Sequence, residues 1–136
     1  MEVYKDHFQI FTYDEEKKFV RHSWFTTEGM NDSDFKRCLV QYAEVIDKYR
    51  PDFVLSNTQN FVFTITLELQ EWSSRAEISK TSEVVKKLAI IVSLDLFAQL
   101  SVNQAIDETQ SRNTNLLSET QYFDTEEEAL KWLFEK

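Results

Sequence analysis

From Phe53 to Trp72 the chain reads FVLSNTQNFVFTITLELQEW, an apolar stretch that ends in Ser56, Asn57, Thr58, Gln59 and Asn60 before a helix-forming segment. In α/β proteins the working surface lies at such a place, beyond the carboxyl end of a strand. The amides of Asn57 and Asn60 can hold a small polar ligand or hydrogen-bond a partner, and they can equally satisfy local backbone groups. Thr64 and Thr66 precede the helix, where a hydroxyl caps the first turn and a phosphate would also be accommodated. Phe61, Phe63 and Ile65 would anchor a partner or a homodimer if exposed and would be core if they face inward. Trp72, with Asn57 or Asn60 at the polar end, could line a pocket for a small molecule or lipid.

Nothing between Ser56 and Trp72 forms an acid/base pair, a nucleophile triad or a phosphate loop. His7 and His22 can face each other across a hairpin, but no third ligand has the spacing of a recurring zinc site, so no metal is assigned. Cys38 stands between basic neighbours but beside the apolar stripe of a helix, which makes it a buried or half-buried thiol. Glu68 with Glu71, Asp14 to Glu16, and Glu126 to Glu128 are accounted for by solvation, turn formation and the helix dipole. Gly29 is the only glycine. A glycine-rich nucleotide cradle is therefore excluded, and no cofactor is expected.

Hydrophobic spacing outlines the elements that would position these residues. His7 to Tyr13 and Lys18 to Trp24 read as a hairpin around the polar turn Asp14 to Lys17. In the second strand Val20, His22 and Trp24 share one face, while Phe19, Arg21 and Ser23 share the other. Asp32 or Ser33 caps a helix with Phe35, Leu39, Tyr42, Ile46 and Tyr49 at helical spacing, ending near Arg50 because Pro51 follows. Phe53 to Leu55 is a short buried strand, and a second helix starts near Thr66. Ile78 to Lys87 reads as a further helical segment, broken before Val84 and Val85. Leu88 to Val92 fits a central strand covered on both faces.

A third helix follows, with Leu94, Ala98, Val102 and Ala105 along one side and Phe97 beside them. Glu108 to Ser118 reads as a frayed helix end and loop, and Thr120 to Phe123 as a short edge strand. Thr125 and Glu128 form a capping box for a last helix with Ala129, Leu130, Leu133 and Phe134 on its apolar side, widened by Trp132. The order β-β-α-β-α-β-α-β-α predicts a single α/β domain over residues 1–136, a mixed sheet with flanking helices.

The net charge is −9 with His neutral. Such a chain repels nucleic-acid backbones and acidic lipid, leaving room for a basic partner, although solubility alone would account for the sign. The opening MEVYKDHFQIF gives no support for secretion, lacking a basic segment followed by an apolar core, and no apolar run is long enough for integral membrane association, so a cytoplasmic location is expected.

YDEEKKFVRHSW, YRPDFVLSNTQNF followed by TLELQEW, KKLAIIVS, and the closing YFDTEEEALKWL span almost the whole chain. On these segments the chain resembles the SpoIIAA-like proteins of the STAS superfamily, especially the small single-domain bacterial forms found in Bacteroidetes. The resemblance implies a small mixed sheet flanked by helices. In the anti-sigma-factor antagonists of that family a kinase partner phosphorylates a hydroxyl at the start of the helix after the central strand, which implies Thr66 here, or Thr64, as phosphoacceptor. Asn57 matches their acidic residue at the strand end, and their Asp-Ser-Ser/Thr-Gly signature is absent. The expected function is a noncatalytic regulatory or protein-interaction module, with small-molecule or lipid binding near Trp72 as the alternative.

Overall fold

The computed structural model describes residues 1–75, 84–112 and 119–135. Its strands are β1 (Glu2–Lys5), β2 (Gln9–Asp14), β3 (Phe19–Trp24), β4 (Phe53–Asn57), β5 (Lys87–Ile91) and β6 (Glu119–Phe123). Four helices lie among the described residues: α1 (Asp32–Tyr49) after β3, α2 (Leu67–Arg75) after β4, α3 (Leu96–Arg112) after β5 and α4 (Glu126–Phe134) after β6. The strands form one sheet in sequence order, antiparallel from β1 to β3 and parallel from β3 to β6. The α/β class with a mixed sheet is thus as expected. β1 is additional to the expected order: it is a four-residue edge strand with a register shift between Glu2 and Tyr4, too short and irregular for alternation to reveal it.

Side-chain alternation separates the two layers. Val20, His22 and Trp24 of β3 are buried on the face covered by α1, where Val20 packs with Phe11, Val54, Val45 and Ile46. Further along the same face, Trp24 joins Phe35 and Cys38 of α1, Leu69 of α2, and Ala98 and Val102 of α3. The opposite face carries Phe19, Leu55, Ala89 and Ile91 under Ala129 and Leu133 of α4. Helices α1 to α3 therefore cover one face, and α4 covers the other.

The helix ends have local causes. Asn31, rather than Asp32 or Ser33, caps α1: its side chain accepts from Asp34 N–H at 2.9 Å, and the Asp34 carboxylate accepts from Asn31 N–H at 3.2 Å. This reciprocal pair is possible only where the cap residue is extended, as Asn31 is. Arg50 closes α1 in the left-handed region (φ 45°), and Pro51 prevents continuation. Val84 to Lys87 is not helical, because Lys87 already begins β5; residues 78–83 of that expected helix lie outside the described residues. Helix α3 runs through Glu108 to Arg112, and 113–118 also lie outside them. Thr125 caps α4 by accepting from Glu128 N–H.

Leu94 does not join the core stripe of α3. The Asp95 carboxylate accepts from Ala98 N–H at 2.9 Å, and its carbonyl accepts from Gln99 N–H, so the helix begins beyond Leu94. Leu94 is left 83% exposed, while Ala98 and Val102 are buried. Among the described residues no helix is long and apolar enough to cross a membrane.

Candidate functional site

The carboxyl ends of β3, β4 and β5 lead into three connections that are bonded to one another by buried hydroxyls. The Thr27 hydroxyl accepts from the N–H groups of Val62 and Phe63 at 2.8 and 3.0 Å. Ser93 donates its hydroxyl to the Phe61 carbonyl at 2.6 Å, and Leu94 N–H donates to the Gln59 carbonyl at 3.3 Å. Ser101 of α3 accepts from Ile65 N–H at 2.9 Å and donates to the Ala98 carbonyl. Thr58 donates its hydroxyl to the Ile91 carbonyl at 2.5 Å. The segment 58–66 contains no glycine. Its backbone groups find side-chain partners instead, which holds an irregular segment in one conformation.

That conformation sorts its side chains. Phe61 is 2% exposed and packs against Trp24 at a 4.9 Å centroid distance, and Ile65 is also buried. Phe63 is half-buried, stacked on Phe35 at 5.3 Å. The inward reading of Phe61 and Ile65 therefore holds, and they offer no surface to a partner. Val62 between them is exposed, and Leu67 at the start of α2 is 78% exposed.

Asn57 and Trp72, expected at one pocket, lie on opposite sides of the sheet. Asn57 donates to the Glu126 carboxylate of α4 at 2.8 Å, and its side-chain oxygen accepts from Gln59 N–H. Arg21 meets the same Glu126 carboxylate. Trp72 is half-buried on α2, facing α1, with the Lys36 ammonium 5.3 Å from its ring centroid. The sheet's alternation places Asn57 with Leu55 on the α4 side, so the two cannot line one cavity. Asn60 is exposed in the turn before Phe61. Thr64 and Thr66 are exposed, and the Thr66 hydroxyl accepts from Leu69 N–H at 3.3 Å, which makes it the cap of α2.

A buried polar chain, Gln9, His22 and Ser56, escaped sequence reasoning. The Gln9 amide NH₂ donates to the Cys38 carbonyl at 3.1 Å, which turns its oxygen toward His22 Nε2 at 2.9 Å. Nε2 therefore carries the ring proton, and Nδ1 accepts from the Ser56 hydroxyl at 3.0 Å. A nucleophile, a base and an orienting group stand in line. Yet the orienting group is a neutral amide, and the ring is stacked on Phe11 at 4.3 Å. Desolvation by burial pulls the imidazole pKa down to about 3, with Asp6 acting weakly in the opposite direction. Burial makes this ring a weak base, and the hydrogen bonds of the chain tie β2, β3, β4 and α1 together. The sequence did contain its signal: His22 shares the face of Val20 and Trp24.

His7 lies exposed at the β1–β2 connection and does not face His22, because the register pairs His22 with Phe11. Among the described residues no three His, Cys, Asp or Glu side chains are placed to hold a metal. Cys38 is buried, and desolvation raises its thiol pKa to about 12, with Asp6 adding and Arg37 opposing. Every buried side-chain polar atom among the described residues has a hydrogen-bond partner.

Beside the exposed Asn60, Thr64 and Thr66, the large aliphatic side chains Val62, Leu67, Leu94 and Leu100 of these connections and the helices after them are exposed. Comparison with protein-family models, with curated proteins and with solved structures finds no match.

Proposed function

We propose that this chain is a noncatalytic protein-interaction or regulatory module of the cytoplasm, working through the surface at the carboxyl ends of β3 to β5. The observation that carries this reading is the exposure of Leu67 and Leu94, 78% and 83%, on connections fixed by buried hydroxyls. Where the backbone is already fixed, covering large aliphatic side chains costs little further backbone freedom. The resemblance to SpoIIAA-like proteins points to the same end of the fold. Thr66, exposed at the start of α2, is the hydroxyl that a phosphorylation switch would use, and a phosphate there would meet the positive end of the helix.

A photo-reactive residue placed at Leu94, with a control at Lys48 on the far end of α1, tests the reading in the source cell. The expected result is a discrete adduct with one protein from position 94 and none from position 48, and that protein binds the purified chain. A small molecule that co-purifies with the chain, without any such adduct, would overturn it.

A further inference from the structure

We draw no further inference here: the strongest candidate, the surface carrying the exposed Leu67 and Leu94 beyond the carboxyl ends of β4 and β5, belongs to the site already described, and nothing in the structure shows what covers it.

Discussion

The two ends of the parallel strands are built on different terms. At the amino ends, acids and bases alternate and meet: Lys86 pairs with Asp52 at 3.6 Å, and Arg50 with Asp47 at 3.4 Å. Aromatic rings there are covered by cations, Lys17 over Phe134 at 5.2 Å and Lys87 over Trp132 at 4.9 Å. At the carboxyl ends, buried hydroxyls do the fastening, and Leu67 and Leu94 stand in water. Exposed ion pairs contribute little to stability, so the difference is not one of strength. It is one of completion: one end pairs its acids with bases, whereas the other leaves large aliphatic side chains in water.

Breaking the inner layer of the carboxyl end should have the largest effect. Phe61→Ala removes a buried ring and should cost about 3–5 kcal/mol in chemical denaturation, unfolding the platform rather than just weakening binding. A loss near zero would mean that Phe61 is not core.

Acid should act next, through His22. Its folded-state pKa, about 3, lies below the ordinary 6.5, so the unfolded chain takes the proton first. The stabilisation is complete above pH 6.5 and is lost as the pH falls toward 3. From pH 7.5 to 5 this term alone removes about 2 kcal/mol. Urea midpoints across that range check it, and His22→Gln should flatten the slope.

Thr27→Val leaves the N–H groups of Val62 and Phe63 without their acceptor and should cost about 1–3 kcal/mol. Hydrogen exchange should speed up at 62 and 63 and stay unchanged at Asp52, whose N–H donates to the Lys18 carbonyl at the other end. Thr66→Ala removes the α2 cap for about 1 kcal/mol, and Thr66→Ser should restore it. Intact-mass analysis of protein from native cells separately tests Thr66 phosphorylation, and an unmodified Thr66 across growth conditions would remove the switch.

Much of the architecture was legible because alternation and helical spacing report burial directly. The two faces of β3, the Thr66 and Thr125 caps and the apolar β5 were all read from residue types. Contacts between distant segments were not legible. The Asn57–Glu126–Arg21 cluster joins residues far apart in sequence, and the orientation of Gln9 depends on the Cys38 carbonyl. Leu94 misled because its spacing continues the α3 stripe, while Asp95 starts the helix one residue too late to carry it inward. Phe61, Val62 and Phe63 are all apolar, and which of them faces water depends on distant partners, the hydrogen bonds to Thr27 and Ser93 and the rings of Trp24 and Phe35.

Replacing Leu67 and Leu94 by Ser should change stability by less than about 0.5 kcal/mol, because both are already exposed. That makes their role in binding separable from folding. The most direct measurement is the affinity of the partner captured from position 94 for three chains: the unaltered one, L67S/L94S, and K48S/K86S at the opposite end. At least a tenfold loss for L67S/L94S, with K48S/K86S unchanged, is the predicted result. Equal affinities for all three, or a loss confined to K48S/K86S, would contradict the assignment of the carboxyl end as the interaction surface.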